Sequence, residues 1–556
     1  MNIKIVWSLG IISTGVLFSF PTRLTYLYSQ IQSISILGPP SFVFFIVFYL
    51  WMASLALTVY KSKNPKLAGL LASNLLVLVI VGFWTLRTNF PIPKEDGTLA
   101  YAFFTSVLVQ GHITSTSSDQ FFLYTVWPLT TALTTMTSRL LGFSLSQSMV
   151  FVTFWCDQLA SSLLFFVFGR ILSSYRLGFI ALTLFWIGGI YNQSSAFTPT
   201  VYGYPLLAGL LLLTIRISQG HGTAKSYMPS FLVLSVALAL GHFITALVFL
   251  GMTSAVAIAS ASERRSLIQV AIIGAIFVIT PVLYSNIALN FLGSSIHGIF
   301  QNPFGQFQQA YISKVGPQLP QWVSYITLGW QIVVIVPVLV LVPGILVWRK
   351  RIQPMSRFVG LLAAGTIMAS FFLVLGGIGY ALSALVYLPI IAAPAVVLFA
   401  KILSPHKGIG VCILAIALIA FSLPTFLAYN RNQVIYAVNG YDMGLYSYSE
   451  IHLPPNINFF SSWDNYLPYI NNYTMDFFDT GSVHTAAGLW VQWNQSISAF
   501  SHAPIQDRVF LFSLRNVVPW QSQVNIAPDD PHWQAVLTKL ALHNRVYDSD
   551  YGVLYE

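Results

Sequence analysis

Phe90 to Gly142 reads FPIPKEDGTLAYAFFTSVLVQGHITSTSSDQFFLYTVWPLTTALTTMTSRLLG. It is the longest polar interruption before the tail of a largely apolar chain. Glu95 and Asp96 stand side by side soon after an apolar run ends. Behind them, Thr98 to Gln110 places Leu99, Phe103, Val107 and Leu108 at the spacing of one helical face. Such a helix lies along a membrane surface. A Ser/Thr-rich turn follows Gly111. Trp127 to Leu141 then predicts a second helix, with Pro128 in its first turn and Gly142 as its stop. Apolar runs flank the whole stretch, so it reads as a long loop between two membrane spans.

Composition supports that reading. Of 556 residues, 56% are hydrophobic and 8% charged, against about 25% charged in a soluble globular protein. Apolar runs near the ~20 residues that a spanning helix needs recur through the first 430 positions. About thirteen are expected, near 5–20, 41–59, 67–86, 148–168, 177–191, 204–216, 230–241, 243–260, 267–287, 323–347, 358–378, 380–400 and 408–428. Pro21-Thr22-Arg23, which offers no small-residue cleavage site, follows the first run, so that run reads as a span and not as a signal peptide. Cys156 and Cys412 both fall in apolar runs and give neither a disulfide framework nor metal spacing.

The net charge of +10 is a matter of topology and does not point to nucleic acid. One set of alternate loops holds Lys61, Lys63, Lys66, Arg170, Arg176, Arg216, Lys225, Arg264, Arg265, Arg349, Lys350, Arg351, Arg357, Lys401 and Lys407. The opposite set, before the tail, holds only Arg23, Arg87, Lys94, Arg139 and Lys314. By the positive-inside rule the first set is cytoplasmic. The N-terminus is then inside, and the loop at 87–147 and the C-terminal tail are outside. A second outward loop, Tyr191 to Pro205 (YNQSSAFTPTVYGYP), is rich in Tyr, Ser and Thr. A third, Asn290 to Gln321, carries several glutamines and glycines. Beyond about Asn430 the pattern changes: 509–514 and 552–556 read as strands and Pro531 to His543 as a helix. The expected architecture is a polytopic α-helical membrane protein with a small extracytoplasmic α/β domain at 430–556.

Three readings of Glu95-Asp96 stand on chemistry alone: a general base for an acceptor hydroxyl, hard oxygen ligands for a divalent cation such as Mg or Mn, or solvated loop charges. Asp157, in FWCDQL, falls in the middle of a predicted span. An intramembrane acid is expensive and marks function by default, but no Lys or Arg near it in sequence supplies a partner. Asn192, Asn472 and Asn494 head N-x-[ST] sequons on the expected outer side, and the latter two stand clear enough of the membrane for glycosylation. Walker, dinucleotide, HExxH and Gly-x-Ser-x-Gly motifs are absent from the sequence.

The order of features in the loop is distinctive. An acidic pair follows a span, then come Tyr101, Gly111, the Trp127-Pro128 pair, a helix ending Leu-Leu-Gly, and the next span. This order resembles the first extracytoplasmic loop of the GT-C superfamily, the integral membrane glycosyltransferases that use polyprenyl-phosphate sugar donors. LALGHFITALVFL (238–250) is similar to a His-containing membrane segment of archaeal and bacterial members. HNRVYDSDYGVLYE (543–556) is similar to the closing strands of their outer domain. The resemblance runs from about Leu67 to the end, with residues 1–66 as a two-span addition and 67–429 as the transmembrane domain. It departs in having no second DxD pattern, which speaks against an oligosaccharyltransferase-type metal site.

The resemblance implies a fold, an activity and a set of residues. Asp96 becomes the general base and Glu95 its partner, with both as ligands if a cation binds. His242, Arg87 and Lys94 become candidates for the donor phosphate. Tyr101, Asn192, Tyr202 and Tyr204 become candidates for sugar contact. The implied partners are the bilayer, a polyprenyl- or dolichyl-phosphate sugar and a glycan, lipid or protein acceptor, at the plasma membrane. Two other classes remain open: a transporter or flippase of lipid-linked or small polar substrates, and a non-catalytic subunit with the same fold.

Overall fold

The computed structural model describes residues 42–88, 128–189, 199–218, 224–259 and 387–402, most of 100–113, and short pieces elsewhere, among them 412–419 and five strands between 458 and 555. The expected spans near 5–20, 267–287, 323–347 and 358–378 lie outside the described residues, apart from single positions.

Nine helices are followed here. They are α1 (Phe42–Lys61), α2 (Pro65–Thr88), α3 (Leu129–Leu141), α4 (Leu145–Ile171), α5 (Tyr175–Gly189), α6 (Pro199–Ser218), α7 (Ala224–Gly241), α8 (Phe243–Ala259) and α9 (Pro389–Ile402). The centre of the bundle is α4, which packs against α2, α3, α5 and α6. Its start is fixed by a capping box: the Ser144 hydroxyl accepts from Gln147 N–H, and the Gln147 side chain accepts from Ser144 N–H. Among the described residues, α4 is the helix long and apolar enough to cross a membrane. Its 27 residues correspond to about 40 Å of helix, more than the ~30 Å of a hydrocarbon core.

Helix α6 starts at Pro199, earlier than the expected span at 204–216. Pro199 suits a first helical position, where its missing N–H costs nothing. Tyr202 and Tyr204 therefore stand in a buried helix and not on an outward loop, a correction to the sequence reading. Helix α3 begins at Leu129 with Pro128 as its N-cap, and it ends at Gly142, which has a φ of 67°.

Glycine governs a close approach between α4 and α5. A β-carbon on Gly178 would stand 2.6 Å from Gly169 N and 2.7 Å from Gly169 Cα. Polar side chains join α2 to α4: Gln158 Nε2 donates to Asn74 O (3.1 Å), Asn74 Nδ2 to Ser162 Oγ (3.2 Å), and Ser161 Oγ to Ser73 O (3.2 Å). Trp186 Nε1 on α5 donates to the same Ser161 hydroxyl (3.0 Å). At the C-terminal end of α4 the basic residues gather. Arg176 lies 5.4 Å from the Tyr60 ring centroid and Lys66 5.6 Å from that of Phe166.

Large apolar side chains also face outward. Leu50, Leu71, Trp155, Leu159 and Val233 are all more than half exposed. In the tail, five strands form one mixed sheet: β1 (Asn458–Ser462), β2 (Thr474–Phe478), β3 (Arg508–Ser513), β4 (Arg545–Ser549) and β5 (Gly552–Tyr555), in the order β2-β1-β3-β5-β4. β1 runs parallel to β2 and β3, and β5 antiparallel to β3 and β4.

Gly178→Ala is expected to cost about 1–3 kcal/mol through overpacking, read as a lower unfolding midpoint in detergent. Gly209→Ala meets the flexible Leu234 Cδ1 at 3.2 Å and Leu163 Cδ1 at 3.8 Å. It is expected to leave the midpoint unchanged or raise it, since alanine recovers about 0.5–1 kcal/mol of helix propensity.

Candidate functional site

The site reaches from the N-terminal end of α4, opposite the basic end, to Asp157 at its middle. Its roof is α3, whose faces are reversed relative to a water-facing helix. Thr130, Thr131, Thr134 and Thr135 are buried, whereas Leu133, Met136, Leu140 and Leu141 are exposed. Three contacts seat it. Thr134 Oγ1 shares a hydrogen bond with Tyr202 OH on α6 (2.8 Å). Arg139 Nη2 donates to Leu108 O (2.8 Å), tying α3 to the short helical stretch before Gly111. Leu129 faces Gly241, where a β-carbon would stand 3.3 Å from Leu129 Cδ2. Below that stretch, Ala100, Phe103, Phe104 and Val107 pack with Leu145, Met149, Val152, Val201 and Tyr202 in one apolar cluster.

Beneath the roof runs a set of buried polar groups drawn from four elements. His242 occupies the one-residue break between α7 and α8, and its Nδ1 lies 2.7 Å from Thr245 Oγ1. Thr245 Oγ1 in turn bonds Tyr387 OH, just ahead of α9. The Tyr387 ring stands 5.3 Å, centroid to centroid, from Tyr204 on α6. Asp157 on α4 is within electrostatic reach of Tyr204, is 3% exposed, and has no hydrogen-bond partner at Oδ2 among the described residues. Gly203 lets α6 approach α8 here, since a β-carbon on it would overlap Thr245 Oγ1.

The structure thus brings together Asp157, Tyr204 and His242, with Tyr202 one helical face away under α3. Glu95, Asp96, Lys94, Tyr101, Asn192, Asn472 and Asn494 lie outside the described residues, and of Arg87 only the backbone is described, at the end of α2. Thr245 and Tyr387 belong to the polar set and escaped the sequence reading. Tyr387 stands in an apolar run, where a tyrosine reads as packing. Thr245 was visible only as the third residue after a histidine that serves as a helix cap. Among the described residues no group of acidic, His and Cys side chains is placed to hold a metal ion.

No family model matches the chain, and no curated protein matches it. Among solved structures, the chain is similar to ArnT from Cupriavidus metallidurans bound to undecaprenyl phosphate. The TM-score is 0.44 and the identity 10%, over 89% of this chain and 98% of that one. Against the same protein in the apo state the TM-score is 0.43 and the identity 11%, over 88% and 97%.

Tyr202→Phe is expected to remove the bond to Thr134 at a cost of about 0.5–1.5 kcal/mol. Hydrogen–deuterium exchange is expected to rise across Leu129–Leu141 and to stay unchanged in α5.

Proposed function

We propose that this chain is a membrane glycosyltransferase of the GT-C type. It moves a sugar from a polyprenyl- or dolichyl-phosphate carrier to an acceptor on the outer face of the membrane. The observation that carries the reading is the loop at 87–147. Glu95 and Asp96 stand five and four residues before Ala100, which is fully buried in the cluster under the loop. Four residues of extended chain span at most about 14 Å. Asp96 is therefore held within about 14 Å of Ala100, which packs in the apolar cluster with Val201 and Tyr202 of α6.

In this reading Asp96 takes the proton of the acceptor hydroxyl as that oxygen attacks the anomeric carbon, and the carrier phosphate leaves. Glu95 supports it, and the two carboxylates hold a divalent cation if the reaction uses one. The developing charge on the phosphate needs cations or fixed donors near it, a role for His242, Arg87 and Lys94. Tyr101 and Asn192 line the sugar's path. Residues 430–556 form the outer domain that grips the acceptor, and the outward leucines of α3 lie in the lipid beside the carrier's tail.

One observation favours a second reading, a transporter or flippase: Asp157 is buried in the bundle with an unbonded carboxylate oxygen, as in substrate and ion pathways.

The test is sugar transfer by purified protein in nanodiscs from a panel of labelled polyprenyl-phosphate sugars. Asp96→Asn, with the fold intact, is expected to lose about 10²–10⁴ in rate, and a chelator lane reports the cation. Equal transfer by wild type and Asp96→Asn would remove Asp96 as the base. Vesicle uptake or flipping that needs Asp157, with no transfer from any donor, would favour the transporter.

A further inference from the structure

The hydrogen bonds around His242 fix which of its ring nitrogens carries the proton. His242 is the N-cap of α8: its carbonyl accepts from Ala246 N–H (3.1 Å), while its own N–H donates back to Leu238 O (3.0 Å). The usual N-cap residues are Ser, Thr, Asp and Asn, because their side chains accept a bond from the N2 or N3 amide. Here the acceptor is imidazole Nδ1, which receives Thr245 N–H at 3.3 Å. A backbone amide can only donate. Nδ1 therefore carries no proton, and the ring is neutral with its hydrogen on Nε2.

The rest of the chain of bonds then has one direction. Thr245 Oγ1, 2.7 Å from the same Nδ1, must donate to it. Its lone pairs are left to accept from Tyr387 O–H. The order is Tyr387 O–H to Thr245 O–H to His242 Nδ1, with Tyr387 OH also 3.4 Å from that nitrogen, and donors in series polarise one another in the same sense. Nε2–H has no partner among the described residues. The ring is half-buried at the break beside Leu129 of the roof helix. The start of α8 also disfavours a positive ring, since a helix N-terminus carries partial positive charge.

We propose that Thr245 and Tyr387 are positioning residues that lock His242 as the neutral Nε2–H tautomer, so that it offers a fixed hydrogen-bond donor to a phosphate oxygen of the lipid-linked donor. The inference rests on the glycosyltransferase reading and deepens it. His242 neither gives up nor takes a proton in the reaction. As the anomeric bond breaks, charge builds on the carrier phosphate, and a donor already aimed at that oxygen stabilises it without reorganising. A histidine that also capped a helix but pointed Nδ1–H at the ligand would forfeit the cap. The cap and the phosphate contact thus need the same tautomer.

The experiment is ¹⁵N NMR on full-length protein labelled at histidine, in nanodiscs, with the His242 signals assigned by difference from His242→Gln. The expected spectrum shows Nδ1 unprotonated and Nε2 protonated. Adding a polyprenyl monophosphate is expected to shift the Nε2 signal and leave Nδ1 protonation unchanged. Tyr387→Phe, which leaves the Thr245 amide on Nδ1, is expected to keep the tautomer but to shift the Nδ1 signal and lower kcat. His242→Ala is expected to lose about 10²-fold or more in kcat, and His242→Gln, whose amide nitrogen sits near the Nε2 position, recovers part of that loss. A proton on Nδ1, a doubly protonated ring, or no response of Nε2 to the phosphate would overturn the proposal. So would a Tyr387→Phe protein with an unchanged Nδ1 signal and kcat. A wild type that shows the Nε2 shift but transfers no sugar would keep the phosphate contact and remove the glycosyltransferase reading.

Discussion

An apolar exterior is the constraint on which the arrangement depends, and α3 shows it most directly. Four threonines of this helix are buried while Leu133, Met136, Leu140 and Leu141 face outward. In water that orientation would expose large apolar side chains and bury hydroxyls, two costs with no return. Against hydrocarbon it is the favourable choice: the leucines find a solvent of their own kind, and the threonines find partners inside. Thr134 and Thr135 bond their own helix's carbonyls four residues back, and Thr134 also reaches Tyr202.

The same constraint organises the interior. When the outside is as apolar as a leucine core, burying leucine does little to hold helices together. Close packing at small residues and polar bonds between helices take over. Both are present around α4. Gly169 and Gly178 bring α4 and α5 to backbone contact, and Gly69 leaves room for the Phe165 ring. Asn74, Gln158, Ser161 and Ser162 stitch α2 to α4, with Trp186 joining from α5. Such bonds average roughly 0.6 kcal/mol each within a bilayer, so what they chiefly fix is register. Register in turn decides which residues of α4 and α6 meet under the roof.

Hydropathy made most of the described helices legible to within a few residues, because run length and flanking charge are local properties. The start of α6 was not legible. YNQSSAFTPTVYGYP is polar enough to read as a loop, and only packing of Val201, Tyr202 and Tyr204 inside the bundle makes it helix from Pro199 onward. The capping box at Ser144 and Gln147 was present as a Ser-x-x-Gln pattern, but the span was expected to begin later. In the tail, the strands at 508–513 and 552–555 showed as short β-type runs, whereas 458–462 and 474–478 gave no clear alternation. For the site, His242, Tyr204 and Asp157 stood out as polar residues in apolar runs. Their gathering beside the N-terminal half of α4 is tertiary, and so is the bond from Thr245 to Tyr387, which are separated by 142 positions in the chain.

Two kinds of buried polar group sit side by side in this site, and the difference between them bears on mechanism. The His242–Thr245–Tyr387 set is bonded along its length and leaves one donor, Nε2–H, facing out of the set. That is a rigid device with a fixed direction, suited to holding one ligand atom in place. Asp157 is the opposite, with a carboxylate oxygen that finds no partner among the described residues. Unsatisfied polar atoms at such depth persist where something is to be gained from them. The two are linked by stacked rings, Tyr204 on Tyr387, with Tyr204 in the field of Asp157. The bonded set lies beside the roof helix at Gly241, and the unsatisfied acid stands midway along α4, 3% exposed.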